Sequence, residues 1–386
     1  MTKTFVAHTC ELDDFEVALS DLKKGLNLDK LLSNSIGIIS CHYEFIESGL
    51  VKEVCDALPF DIAGTISSPV AVNDMQGELC MTIMLITSDE LSFEVVLTPK
   101  LDNPKDVVTK SFNQATQKYK NQQPGLIFAF APFMAQNSGD DYINIITEVS
   151  NGTPCFGTLA VDDTADFSNC FMIHNGNAYM NQMSMVLVYG NIKPRFYVAN
   201  ISENKVLSKS AVITKSEGHI IKEVNGKTVD EFFEDLGLTK ASETGYAMAS
   251  LPFLLDYNDG TPKVSKIFIT LTPERYALCA GAVPQGSTLY IASSDKSDVL
   301  STTKEVTQQM LNDMQDASGV LIYSCISRSM TLGAEQLDEM KLVDDKLANK
   351  LPYMMTYSGG EICPTVVSNN KATNRFHNNA FIACLF

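Results

Sequence analysis

G-V-L-I-Y-S-C-I-S-R, residues 319–328, opens the stretch on which the rest of the chain is patterned. A charged amphipathic run follows it. L-P-Y-M-M-T-Y-S-G-G-E-I-C-P then occupies 351–364, and R-F-H-N-N-A-F-I occupies 375–382. The apolar run Val320–Tyr323 predicts a short buried strand, with polar Ser324, Cys325, Ser327 and Arg328 at its carboxyl end. From Glu335, the residues Leu337, Met340, Val343 and Leu347 fall at helical spacing among charges that face solvent. Pro352 restarts an extended segment, Tyr353–Tyr357, and Gly359-Gly360 bends the chain before Glu361. The unit is strand, helix, strand, turn, with polar groups gathered where the elements end.

The same unit recurs toward the N-terminus. Gly37-Ile38-Ile39, Gly125-Leu126-Ile127 and Gly319-Val320-Leu321 each begin a strand, and Leu58-Pro59, Thr153-Pro154 and Leu351-Pro352 each precede the next one. Gly64-Thr65 matches Gly157-Thr158, with Met355-Thr356 in that place in the last copy. Phe171–Asn175 echoes Arg375–Asn378 through their His-Asn pairs, and Asp106 and Asp298 each open a helix ahead of the glycine. A duplicated α/β unit accounts for this, and it predicts mixed sheets packed as a layered α/β sandwich with helices outside. Ahead of the repeats, residues 11–32 read as a helix, and within the first copy 46–58 read as another. Between the copies, 206–236 combines alternating strand residues, an Asn225-Gly226 hairpin signal and a helix with Val229, Phe232 and Phe233 inward. The expected division is a helical lead-in over 1–35, an α/β half over 36–202 and a second over 203–386.

Composition narrows the function classes. The net charge of −17 repels phosphate backbones, and no local Lys/Arg cluster offsets it, so nucleic acid and anionic membrane are poor partners. No run of eighteen or so apolar residues exists to span a bilayer, and the N-terminal M-T-K-T-F-V-A-H lacks the apolar core of a signal peptide. The ten cysteines contain no C-x-x-C pair and read as reduced thiols. A cytoplasmic protein is expected. No Walker loop and no strand-to-helix G-x-G-x-x-G is present, Cys41-His42, Cys155 and Cys170 lack metal-ligand spacing, and neither cofactor nor metal is expected.

Four separated motifs resemble the FIST family, the F-box and intracellular signal-transduction sensory domains. In the second half they are the Ser210–Gly226 run, Ser324–Arg328, Tyr357–Pro364 and Phe376-His377-Asn378; in the first, Ile36–Cys41, the Leu58–Ser68 turn and the Gly125 strand are similar to the N-terminal part. One departure is Met355, where the family pattern carries glycine two positions before the tyrosine. The resemblance implies a small-ligand sensor, with an amino acid or related metabolite as the ligand. This chain carries no output segment, so the resemblance also implies a separate signalling partner.

The candidate ligand-binding residues are Arg328, Tyr357, Ser358, Glu361, Cys325, Asn378 and Thr65. Ligands of α/β sheets sit at the carboxyl ends of strands. A guanidinium at Arg328 would hold a ligand carboxylate in a bidentate pair; the competing reading pairs Arg328 with Glu361. Glu361 would meet an α-ammonium group, or cap a turn. Tyr357 offers a hydroxyl and a flat wall, or is core. Thr65, with Ser67 and Ser68, offers a polar rim, or simply a turn. Room around Glu361 favours an open pocket, in which Arg328 serves ligand more than fold. A rival class, a thiol-dependent hydrolase or amidase, would use Cys325 and His377 with Glu361 orienting the histidine. Against it stands the His174-Asn175 echo, which points to a fold role for the His-Asn pair.

Overall fold

Three six-stranded sheets built to one plan carry most of the chain in a computed structural model that describes residues 1–133, 138–162, 168–207, 209–237, 251–369 and 371–386. The first unit is β1 (Thr2–Thr9), α1 (Phe15–Leu26), β2 (Asn34–Cys41), α2 (Glu44–Glu47), α3 (Leu50–Ala57), β3 (Asp61–Ile66), the hairpin of β4 (Val70–Val72) and β5 (Met75–Gly77), and β6 (Met81–Ser88). The second is β7 (Ser92–Leu97), α4 (Pro104–Lys118), β8 (Leu126–Ala131), α5 (Gly139–Val149), β9 (Cys155–Leu159), the hairpin of β10 (Met172–His174) and β11 (Asn177–Tyr179), and β12 (Ser184–Tyr189). The third opens with β13 (Arg195–Ala199) and is then interrupted. The insertion holds β14 (Ala211–Glu217), β15 (Ile220–Val224), β16 (Lys227–Thr228), α6 (Val229–Asp235), β17 (Pro252–Asp256), β18 (Val264–Leu271), β19 (Ala277–Cys279) and β20 (Thr288–Ile291). The unit resumes with α7 (Lys296–Asp313), β21 (Val320–Cys325), α8 (Ile326–Leu332), α9 (Asp338–Leu347), β22 (Tyr353–Ser358), β23 (Glu361–Ser368), β24 (Lys371–His377) and β25 (Phe381–Leu385).

The sheet orders are β1-β6-β2-β3-β10-β11, β7-β12-β8-β9-β23-β24 and β13-β25-β21-β22-β4-β5. In each, a parallel pair joined by a helical crossover forms the centre. Each unit lends its hairpin to a neighbour: β4–β5 goes to the third sheet, β10–β11 to the first and β23–β24 to the second. Strands on either side of residue 202 therefore share a sheet, as β13 does with β25.

Burial explains the uninterrupted apolar strands. The inner faces of all three sheets meet in one cluster that includes Ile38, Met84, Phe128, Val186, Tyr323 and Ile382. Their outer faces pack under helices: α1 and α3 on the first, α4 and α5 on the second, α7 and α9 on the third. A strand buried on both faces has no polar side to alternate with. The insertion closes on itself, since β14 pairs with both β20 and β15, and it is filled by Phe233, Phe253 and Phe268. Asn225 and Gly226 turn its hairpin with φ of 53° and 74°. Among the described residues no helix is long and apolar enough to cross a membrane.

Cross-strand pairing tests the repeat register directly. Ser40 faces Thr65, Phe130 faces Thr158 and Tyr323 faces Thr356. Thr65 and Thr158 are each the next-to-last residue of their strand, so the Gly64-Thr65 and Gly157-Thr158 match holds in space, whereas Thr356 lies one position further from the end of β22 and the Met355-Thr356 match is offset by one. The glycine register is offset: Gly37 lies inside β2, whereas Gly125 and Gly319 each precede their strand. The His-Asn echo does not hold. His174 ends the first strand of its hairpin and Asn175 makes the turn, with φ of 45°, while His377 ends the second strand of its own and sits opposite Glu361. Asn175 accepts from the Ile62 N–H at 2.7 Å, a structural duty that Asn378 does not share. Two helices are also shorter than the sequence suggests. Residues 2–9 form β1 ahead of α1, and Gly49, with φ of 83°, divides α2 from α3.

Candidate functional site

The carboxyl ends of the second strands of the three units converge. Ser67, just past β3, donates to the Tyr357 carbonyl at 2.7 Å; Thr158 of β9 is 2.7 Å from the Ser358 hydroxyl; the Gly359 N–H donates to the Leu159 carbonyl at 3.0 Å. β21 and β22 lie side by side and parallel, with Ser324 opposite Tyr357 and Cys325 opposite Ser358. The two candidate segments are thus neighbours, and two buried carboxylates organise them.

The first is Glu339, on the inward face of α9. It is fully buried, as is Arg328, and it is the counter-charge of Arg328 in place of Glu361. Arg328 Nε and Nη2 donate to Glu339 Oε1 at 3.0 and 2.8 Å. Nη2 also donates to the Val299 carbonyl at 2.9 Å and to the Thr303 hydroxyl at 2.7 Å. Ser324 donates to Glu339 Oε2 at 2.8 Å, and the Tyr357 hydroxyl lies 3.1 Å from the same oxygen. Burial, then the Glu339 charge, pushes the Tyr357 hydroxyl well above its usual range. Arg328 does not face an open pocket. The sequence reading missed Glu339, although it stands four residues before Val343 on the apolar stripe of α9, where a lone carboxylate signals a buried partner.

The second is Glu361, the first residue of β23, also fully buried. Neither of its oxygens makes a well-formed hydrogen bond; the Cys325 thiol, the Ala380 N–H and the Ser358 hydroxyl lie around it. Burial holds its carboxyl well above the ordinary range, against the pull of the Cys325 thiol, the Ala380 N–H and the Ser358 hydroxyl. Burial, reinforced by Glu361, pushes the Cys325 thiol up to about 12. His377 is pushed down to about 3 by burial and donates through Nε2 to the Cys363 carbonyl at 3.2 Å, with Nδ1 unbonded. Asn378 is 1% exposed and neither end of its amide is bonded among the described residues, although its backbone N–H donates to the Ser265 carbonyl at 2.9 Å. Asn379 accepts from Ser327 at 3.0 Å and leaves its Nδ2 free. Thr65 is buried one sheet away, opposite Met172, and reaches this group only through Ser67 on its own chain segment.

A second ion pair closes the far side. Lys266 of the insertion donates to Asp140 at the start of α5 at 2.8 Å and to the Phe376 carbonyl at 2.8 Å. Burial works against its charge, but Asp140, Tyr257 and Cys279 together raise its pKa. The insertion is thereby pinned to the second and third units beside Asn378. No motif pointed to this pair, whose members are 126 residues apart.

This arrangement suits hydrogen bonding by neutral groups better than nucleophilic chemistry, because a thiolate needs a cation or a low thiol pKa beside it and Cys325 has neither. Cys10 is the exposed cysteine, and the other nine are buried. We therefore expect one fast-reacting thiol when the native protein meets a disulfide reagent at about pH 8, and ten after denaturation. Fast labelling that maps to Cys325 would contradict this account. Two cavities, of about 690 and 450 Å³, lie elsewhere, one along β1 and α1 and one at the opposite end of the strands.

Comparison with known proteins gives two family matches in chain order. Residues 35–227 match the FIST N domain and residues 229–364 the FIST C domain. No curated protein matches. Among solved structures, a cyanuric acid hydrolase from A. caulinodans covers 100% of this chain and 99% of its own at 8% identity, with a TM-score of 0.38, too low to bear on fold or activity.

Proposed function

We propose, from the premise that this chain belongs to the FIST family, that it senses a small polar ligand at the carboxyl ends of β21 and β22. FIST domains are sensory domains of signal transduction that bind small ligands. The finer reading is ours: the ligand is an amino acid or a related metabolite, the protein works in the cytoplasm, and a separate partner receives the signal. The unpaired state of the cysteines supports a reducing compartment.

The observation that carries the site is the Asn378 amide, buried with donor and acceptor both unmatched among the described residues, one residue past His377, which sits opposite Glu361 and its poorly bonded carboxyl. A buried polar group left unbonded costs about 1–3 kcal/mol. A ligand supplying complementary groups recovers that cost, which makes the site a place where binding energy is available. Glu361 enters through its carboxyl, Asn378 as donor and acceptor, and Ser358 and Cys325 as lesser contacts; Thr65 borders the group. Arg328 and Tyr357 act from behind, fixing the strand ends through Glu339. All seven residues are 2% exposed or less, so the ligand enters only when the chain opens over them.

A thermal-shift screen of the free amino acids tests this reading. A ligand that binds only the folded state raises the midpoint, and we expect at least one amino acid or close derivative to do so. If no member of the panel moves it, the amino-acid reading is wrong.

A further inference from the structure

At the end of the strands opposite Cys325, all three units contribute to a cavity of about 450 Å³, well inside the size range of small-molecule sites. Its apolar wall includes Leu91, Phe93, Phe128 and Phe386. Lys193 and Arg195 stand in it, where β12 passes into β13. In a chain where acids outnumber bases 46 to 29, a base without a partner is unusual. Yet neither makes an ion pair among the described residues, and the buried Nε of Arg195 has no hydrogen-bond partner. Of the cavity's two acids, Glu90 is held by the Met1 ammonium at 2.7 Å, which leaves Asp316 facing two cations.

We propose that this cavity binds a small monocarboxylate with an apolar, preferably aromatic, body, the carboxylate on Arg195 and Lys193 and the ring against the phenylalanines. A guanidinium with a free Nε–H offers the paired donors a carboxylate accepts. The ring wall takes a flat apolar body, and aromatic pairs add about 0.5–1.5 kcal/mol beyond burial. A single negative charge fits best, because Asp316 opposes a dianion. The site is independent of the Glu361–Asn378 group, from which it is separated by the length of the strands.

Calorimetric titration of the full chain with phenylacetate, against phenylacetamide as the neutral match, tests it. We expect phenylacetate to bind and phenylacetamide to bind at least about tenfold more weakly. Arg195→Gln should lose phenylacetate binding by at least about tenfold while circular dichroism stays unchanged, and Lys193→Gln, on a more exposed side chain, should weaken it by about threefold. Should Arg195→Gln misfold, the Lys193 variant and the acid-to-amide ratio carry the decision. Equal affinity for acid and amide, no binding up to ~10 mM, or undiminished binding in a folded variant overturns the proposal.

Discussion

Arg328→Met lowers the stability of the protein by about 3–5 kcal/mol, a fall of roughly 4–6 °C in the unfolding midpoint of a chain this long. The cause is the carboxylate left behind. With Arg328 gone, Glu339 stays fully buried with hydroxyls alone, those of Ser324, Thr303 and Tyr357, to hold its charge. Removing one member of a buried pair costs more than the pair is worth, because the survivor keeps its desolvation penalty. Replacing both members with apolar groups removes that penalty. Arg328→Met combined with Glu339→Leu therefore recovers much of the single-variant loss, and the non-additivity measures the pairing. An apo midpoint within about a degree of wild type for Arg328→Met would return Arg328 to the ligand role that the sequence suggested. The structure makes it the brace of the β21 end.

The pH profile of stability carries the second large effect. Glu361 has a folded pKa well above its ordinary 4.5, so it adds stability below about that pH and loses it as pH rises toward the folded value. While Glu361 stays protonated in the folded state, the loss is about 1.4 kcal/mol per pH unit. His377 works from the other side. Its folded pKa of about 3 against an ordinary 6.5 means the unfolded chain takes the proton first, so stability falls as pH drops from 6.5 toward 3. Between about 4.5 and 6.5 the two slopes oppose each other and nearly cancel. Glu361→Gln should then be more stable than wild type at about pH 8, with an advantage that shrinks toward pH 5, and His377→Gln should flatten the acid limb. Denaturant midpoints across that range decide it. Curves for Glu361→Gln and wild type that run parallel from pH 5 to 8 would show that Glu361 ionises freely in the folded state.

What the sequence disclosed was local. The Gly64-Thr65 and Gly157-Thr158 register was legible because a glycine and a threonine recur at one place in a strand. The helix α9 was legible from its apolar stripe, and the start of α7 from Asp298. β1 was not read, although T-K-T-F-V-A-H-T is rich in strand formers; burial of its Ala7 and Thr9 comes from α1 packed on it and from pairing with β6, some seventy residues on. The exchange of hairpins leaves no local trace, because β4 meets β22 only when three units close together. The same limit applied at the site. The neighbouring placement of Ser324–Arg328 and Tyr357–Glu361 followed from a helical crossover between parallel strands. The choice of Glu339 over Glu361 as partner of Arg328 depended on which way each carboxylate points, and spacing does not encode that.

The measurement closest to the central claim repeats the amino-acid thermal-shift screen on Asn378→Ala. The claim is that the unmatched Asn378 amide, just past β24, and the Glu361 carboxyl, at the start of β23, are the ligand's binding groups. The substitution removes one of them without touching either buried ion pair, so the apo midpoint should hold or rise slightly. The midpoint shift that the active ligand gives in wild type should disappear. A shift of undiminished size in Asn378→Ala would place the ligand elsewhere in the molecule and contradict the account.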